Sequence, residues 1–301
     1  MIQFFDPSNQ IFLQGMNRIQ ANQQRAQQQL TTGLKINSVA DAPDQIANLM
    51  QVRAKLAQTQ QISSNLGQVK TETDSAESAL ENAVKLMDDA STLATEAQPT
   101  TQTPEMRAQM GAQIGADLQQ MVGIANTSVD GKFLFSGDLD QTQPYSIDLT
   151  QASPVSAYAG SASTRQVQHP DGSLFPTSLT AQQIFDSADP TTNVFITMSD
   201  LRTALMNNDQ TGINNAIANL KTASTYLNTQ LAFYGTVQDR VNGAIDFAAT
   251  MTTQLQTEQS GIQDADLTES ITSLAQASTQ QQAALSAEKE IPHTSLFDYL
   301  A

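Results

Sequence analysis

Asp264, Asp266 and Glu269 fall within one short stretch near the C-terminus, close enough to offer carboxylate oxygens to a hard divalent cation. The run lacks the Gly and the twelfth-position Glu of an EF-hand loop, and carboxylates at the start of a helix are stabilised by its dipole, so helix initiation accounts for them. His293 has no Ser and carboxylate arranged beside it as a triad requires. His169-Pro170-Asp171 matches the tripeptide by which J-domain co-chaperones stimulate their partner, but it precedes a Gly in a turn-rich segment where that motif needs a loop between two helices. His169-Pro170-Asp171-Gly172 reads as a turn, with Asp-Gly the hairpin signal. There is no cysteine, hence no disulfide, thiolate metal site or thiol nucleophile. No Gly-rich phosphate loop and no GxSxG occurs. The chemistry-bearing residues therefore support no catalytic site, no cofactor and no metal, and the elements that hold them carry the function.

Those elements are helical. From Phe12, the positions Phe12, Met16, Ile19, Gln23, Ala26 and Leu30 follow the 4-3 spacing of a heptad seam. Thr31-Thr32-Gly33 ends that helix, because Gly adopts the left-handed cap conformation. Asp41 and Pro43 then suit the start of a second helix, expected from Pro43 to Ala97, with Leu66, Val69, Thr73, Ala76, Leu80, Ala83, Met87 and Ala90 on its seam. Pro99 and Pro104 interrupt it, and a shorter helix is expected from Glu105 to about Ser128. The C-terminal half repeats the pattern from Leu220 through Leu227, Tyr234, Val241, Ala248 and Leu255 to Ile262. Gln23, Gln230 and Glu258 occupy seam positions, where they either fix register or mark where the seam meets water. A final helix carries Leu267, Ile271, Leu274 and Leu285 before Ile291-Pro292, and the tail closes on Leu296, Phe297 and Leu300.

Residues 133–200 differ, holding five of the ten prolines and seven of the sixteen aromatics in short runs between turn residues. Phe133-Leu134-Phe135-Ser136-Gly137 and Asn193-Val194-Phe195-Ile196 read as strands. The fold class is thus mainly α: a long antiparallel coiled-coil bundle formed by the two halves, with a small β-rich inserted domain. The expected division is 1–42 with 262–301 as terminal helices, 43–132 with 201–261 as a helical bundle, and 133–200 as the insert.

The formal charge of −16 and absence of Trp set further bounds. Nucleic acid is disfavoured, since phosphate binding rests on Lys and Arg, and an anionic membrane is disfavoured likewise. Residues 1–66 carry five basic and three acidic groups, so the acidic excess lies beyond them and the N-terminal arm suits burial in an assembly. The first residues, Met1-Ile2-Gln3-Phe4-Phe5-Asp6-Pro7, lack the basic stretch and apolar run of a cleavable secretory signal. No apolar run approaches the ~18 residues of a membrane span. The terminal seams, Phe12–Leu30 and Leu267–Leu285, are short and Gln-rich, and helices of that kind are expected to order fully only on assembly.

Three segments carry a resemblance. Leu30-Thr31-Thr32-Gly33-Leu34-Lys35-Ile36-Asn37-Ser38-Val39-Ala40-Asp41-Ala42-Pro43 resembles the N-terminal motif of bacterial flagellins, roughly LSTGxRINSxADDP. Ser260-Gly261-Ile262-Gln263-Asp264-Ala265-Asp266-Leu267 is similar to the family's C-terminal SxIEDxD motif. Gln280-Gln281-Gln282-Ala283-Ala284-Leu285 and the Leu296-Phe297-Asp298-Tyr299-Leu300 ending resemble its last helix and tail. Within the family the likeness is greatest to the branch that joins hook to filament, because Asp130-Gly131-Lys132-Phe133-Leu134-Phe135-Ser136-Gly137 looks like the opening of that branch's β domain.

The resemblance implies a non-enzymatic structural subunit, exported by the flagellar type III apparatus without a cleaved signal. Implied partners are hook-associated protein 1, flagellin, further copies in a ring, and an export chaperone on the C-terminal helix. It marks Gly33, Ile36, Asn37, Ala40, Asp41, Pro43, Asp264 and Asp266 as motif residues. It also assigns Phe12, Met16, Ile19, Leu30, Leu267, Ile271, Leu274, Leu285, Leu296, Phe297 and Leu300 to assembly, the terminal helices forming an inner tube. A filament-forming flagellin is the alternative within the family. A cytoplasmic coiled-coil adaptor would explain the heptads but not the motifs.

Overall fold

The computed structural model describes residues 7–98 and 101–290. In chain order the elements are α1 (Pro7–Thr32), α2 (Ile46–Ala97), α3 (Pro104–Ala125), β1 (Ser128–Val129), β2 (Lys132–Phe133), β3 (Gln166–Gln168), β4 (Leu174–Pro176), α4 (Ala181–Phe185), α5 (Val194–Met206), α6 (Gln210–Gln263) and α7 (Leu267–Glu290). They divide into two compact units, one from residues 1–58 and 252–301, the other Thr59–Met251. Among the described residues no helix is long and apolar enough to cross a membrane.

The larger unit is organised by α2 and α6. Its α2 seam buries Ile62, Leu66, Thr73, Ala76, Leu80, Ala83, Met87, Ala90, Ala94 and Ala97, and the α6 seam buries Ile213, Ala216, Leu220, Ala223, Leu227, Tyr234, Val237, Val241, Ala244 and Ala248. Both sets step by three and four residues, with one step of seven in each where Val69 and Gln230 are half-buried, the spacing that keeps one stripe of a helix facing its partner. Gln98 donates to Asn214 at 3.1 Å, while Gln238 donates to Asp74 at 2.9 Å, so the later residues of one helix meet the earlier residues of the other. The pair is therefore antiparallel. Gln230 is half-buried on the seam, and Glu258 is exposed.

Two shorter helices complete this core. α3 starts at Thr103, whose hydroxyl accepts from Met106 N, with Pro104 in the first turn. It meets α5 at Gly111 and Gly115: a Cβ on Gly111 would stand 2.9 Å from Met206 Cγ and 3.2 Å from Leu205 Cβ. Glycine here removes the side chain that would hold the helices apart.

One antiparallel hairpin leads into the insert and a second lies within it, the rest being helical or irregular; of the run Phe133-Leu134-Phe135-Ser136-Gly137, only Phe133 is in a strand and the others turn. β1 and β2 are joined by Asp130 and Gly131, both at positive φ, as a two-residue primed turn requires. β3 and β4 are joined through His169-Pro170-Asp171-Gly172, where Gly172 has φ +95° and Asp171 accepts from the Ser173 amide. This second hairpin packs Val167 and Phe175 on Ile62, Leu66, Val237 and Val241, and Arg240 lies 5.0 Å over the Phe175 ring. The run Asn193-Val194-Phe195-Ile196 is not a strand. Asn193 caps α5, accepting from Ile196 N at 2.9 Å, and Val194, Phe195, Met198, Leu201 and Leu205 form a helical stripe. A four-residue apolar run cannot show its period, and only the continuation to Leu205 reveals three-four spacing. Gly137 has φ +66°, and a Cβ there would stand 2.4 Å from Ser161 O, so it admits only glycine.

Arg107, 5% exposed, gathers the helix ends. Its Nε donates to Ala97 O at the end of α2 (3.0 Å), and its terminal nitrogens donate to Asn208 Oδ1 and Gln210 Oε1, each at 2.7 Å. Gln210 in turn donates to Gln98 O at 3.0 Å. A buried guanidinium held by neutral acceptors depends on all of them, since each lost bond leaves a desolvated donor. Arg107→Ala is expected to destabilise the larger unit by about 2–4 kcal/mol, read as a lower urea midpoint with an unchanged slope. An unchanged midpoint would show the network to be incidental.

Candidate assembly interface

The two sequence motifs are joined to each other. Thr32 ends α1, and Gly33 at φ +72° turns the chain, its amide donating to Gln29 O at 2.8 Å. The next residues run beside the α6–α7 link: Gly33 O accepts from Ala265 N (2.9 Å), and Gln263 O accepts from Lys35 N (2.6 Å) and Ile36 N (3.3 Å). Leu34 and Asp264 form an isolated antiparallel bridge. Beneath this ladder Ile36, Ala42 and Leu49 are buried, with Ile46 and Ile262 packed on them.

Polar motif residues close the loop. Asn37 Nδ2 donates to Leu34 O at 3.0 Å. Asp41 Oδ2 accepts from Ser38 N (2.7 Å), Asn37 N (3.0 Å) and Ser38 Oγ (3.0 Å). Asp41 therefore turns back on the preceding loop instead of capping the next helix, and α2 begins at Ile46, after Pro43. A capping Asp and a loop-closing Asp look alike in sequence, because both offer an oxygen to amides a few residues away. The Ser38 amide, then the Asn37 amide and the Ser38 hydroxyl, hold the Asp41 carboxyl below the usual carboxylate range. Ala40 and Pro43 are exposed.

On the other side of the ladder, Asp266 starts α7. Its Oδ1 accepts from Thr268 N (2.8 Å) and Glu269 N (3.1 Å), an N-cap worth about 1 kcal/mol. Asp264 accepts from the Ser260 hydroxyl. Both carboxylates serve their own chain, and no group of three candidate ligands able to hold a metal ion occurs among the described residues.

α1 and α7 pack together from this ladder onward. Ser270 Oγ donates to Gln29 Oε1 at 3.2 Å, and Asn22, Arg25 and Ala26 share a groove with Ser273, Ala277 and Gln280, so the helices run antiparallel. Ala26 and Ala277 are buried, while Phe12, Met16, Ile19, Gln23 and Leu30 are half-buried on the same stripe of α1. The face of α7 turned to α1 carries Ser270, Leu274, Ala277, Gln281 and Ala284. Leu267, Ile271 and Leu285 lie off it, at 52%, 59% and 43% exposure, and Ile11 and Leu13 of α1 are exposed as well. The apolar row read from the sequence thus splits: Leu274 packs within the pair and the rest is uncovered. Small residues built the inner face, and a count of large apolar residues does not register them. Leu296, Phe297 and Leu300 lie outside the described residues.

Sequence reasoning missed Arg107, whose role depends on three elements meeting. It also missed Val39 and Met50, exposed at 64% and 65% in the unit that holds the ladder.

Comparisons with known proteins agree with this arrangement. The model of the bacterial flagellin N-terminal helical region matches residues 8–140, and that of the bacterial flagellin C-terminal helical region matches residues 203–300. Flagellin B of Helicobacter pylori is 28% identical over 143 residues, 47% of this chain. The match spans 28% of the length of that relative. Among solved structures, a candidate flagellar hook-associated protein from Vibrio parahaemolyticus shares the fold with a TM-score of 0.66 at 16% identity, over 74% of this chain and 100% of that one. The flagellar hook associated protein-3 of Legionella pneumophila shares it with a TM-score of 0.51 at 14% identity, over 69% and 99%.

The Asp41 contacts predict a pH dependence. A depressed folded pKa contributes stability that is fully present above the unfolded value near 4 and is lost as pH falls through the lower folded value. The Asn37 and Ser38 amide resonances should titrate with a midpoint below about 4, and Asp41→Asn should shift both at neutral pH. Unmoved resonances in that variant would contradict the assignment. Because α1 and α7 bury so little, amides of 10–30 should exchange well before those of 213–248 in the isolated chain. Equal protection would count against a weak terminal pair.

Proposed function

Because the chain belongs to the bacterial flagellin family of structural, non-enzymatic flagellar proteins, we propose that it is the subunit joining the hook to the filament. A flagellar, extracellular component is the coarser statement that the family carries. What supports the finer one is that the whole length of two hook-associated structures, of Vibrio parahaemolyticus and Legionella pneumophila, superposes on this fold. The small insert, 68 residues from Phe133 to Asp200, points the same way.

In this reading the terminal segments 1–42 and 262–301 line the inner tube, 43–132 with 201–261 surround them, and 133–200 faces outward. Leu267, Ile271 and Leu285, with Phe12, Met16, Ile19, Leu30, Leu274, Leu296, Phe297 and Leu300, belong to the assembly surface. Each large apolar side chain left in water forgoes about 1.5–3 kcal/mol that a neighbouring helix would supply. Hook-associated protein 1 lies on one side and flagellin on the other, with copies of this chain closing a ring. The chain leaves the cell through the flagellar type III apparatus, with a chaperone on its C-terminal helix beforehand. A second reading, a filament-forming flagellin, is favoured by the identity to Flagellin B.

Deleting the gene should leave cells with hooks, no filaments, and flagellin monomers in the medium. Filaments on the deletion strain, or micrometre filaments grown from the purified chain, would instead establish the second reading. Replacing Ile271 and Leu285 together by Asp should leave the circular dichroism of the monomer intact and abolish rescue of that strain. Full rescue by the double variant would remove these residues from the interface.

A further inference from the structure

Among the methionines, Met206 combines access with a structural contact. It ends α5 and is 47% exposed, yet its Cγ lies 2.9 Å from where a Cβ on Gly111 would stand, on the line where α3 and α5 approach most closely. The next residue, Asn207, is the C-cap of α5, and Asn208 after it, at φ +52°, accepts from Arg107 at 2.7 Å. Met87, Met121 and Met198 are fully buried, whereas Met50 and Met106 are exposed at 65% and 46%.

We propose that Met206 is an oxidation-sensitive lock between α3 and α5, modified by hydrogen peroxide and restored by reduction of the sulfoxide. The thioether sulfur attacks one peroxide oxygen and the O–O bond breaks. That oxygen stays on sulfur, and the departing hydroxide takes up the remaining proton as water. Sulfur loses two electrons and peroxide gains them. The product is a polar, branched sulfoxide in place of a flexible apolar thioether. Because the Met206 side chain lies along the Gly111 backbone, a bulkier, polar sulfoxide there weakens the close approach of α3 and α5, and the end of α5 that leads to the Asn208 acceptor of Arg107 is the segment exposed to that change. An extracellular protein meets peroxide outside the reducing cytosol, so the state of this one side chain can report on it.

Graded peroxide treatment of the full chain, followed by peptide mass mapping, should show Met206 converting roughly tenfold or more faster than Met87, Met121 and Met198. The thermal midpoint should fall on oxidation and recover after treatment with methionine sulfoxide reductases. Met206→Leu, which keeps the apolar contact but cannot be oxidised, should remove that fall, while Met106→Leu and Met50→Leu should not. Conversion of Met206 no faster than Met121 overturns the proposal. So does an equal loss of midpoint in oxidised Met206→Leu, or a loss that the reductases do not reverse.

Discussion

The backbone ladder between Gly33–Ile36 and Gln263–Ala265 ties residues from opposite ends of the chain, and the terminal unit is built outward from it. Its hydrogen bonds are individually modest, each worth about 1 kcal/mol net, but they fix register. Once Lys35 and Ile36 donate to Gln263, Gly33 must reverse the chain one side of the ladder and Asp266 must open a helix on the other. α1 and α7 then leave the same point and pack against each other. The motif residues act here as turn, ladder and cap residues: Gly33, Ile36, Asn37, Asp41, Asp264 and Asp266 all lie at this joint.

Leaving that joint, the helices differ in how completely they satisfy themselves. The seams of α2 and α6 in the larger unit are closed by Leu, Met, Tyr and Val, with α3, α5 and the insert packed over them. The α1–α7 pair closes on Ala26, Ala277 and Ser270, side chains too small to draw a row of Leu and Ile inward. The larger unit is thus closed by large side chains, while the α1–α7 pair leaves Ile11, Leu13, Leu267, Ile271 and Leu285 exposed. That combination suits a subunit whose terminal helices gain most of their burial from neighbours.

Polar groups do the specific work in the larger unit. Arg107 is held by two side-chain amides and a helix-terminal carbonyl, Asn126 exchanges two hydrogen bonds with the Tyr145 backbone, and Arg165 pairs with Glu72 while donating to Phe133 O. Each joins segments distant in sequence. In a chain with few large aromatics, such contacts set which loop lies on which helix, while apolar burial supplies the driving force.

Helical periodicity is a local property, and so the seams of α1, α2 and α6, the cap at Gly33 and the start of α7 at Asp266 could be read directly from residue spacing. The hairpin turn at Asp171-Gly172 was legible for the same reason, since only a few residue types tolerate positive φ. The helical nature of 193–196, the inward turn of Asp41 and the importance of Arg107 were not legible. Asn193 serves equally before a strand or as a cap, and Asp41 has amides within reach on both sides. Arg107 is read only in three dimensions, because Ala97, Asn208 and Gln210 come to it when the end of α2, α3 and the segment leading into α6 meet. The division of α7 into a face of small residues against α1 and an uncovered row of Leu267, Ile271 and Leu285 was decided by tertiary packing too. A sequence states which residues could be buried, and the neighbour that arrives determines which of them are.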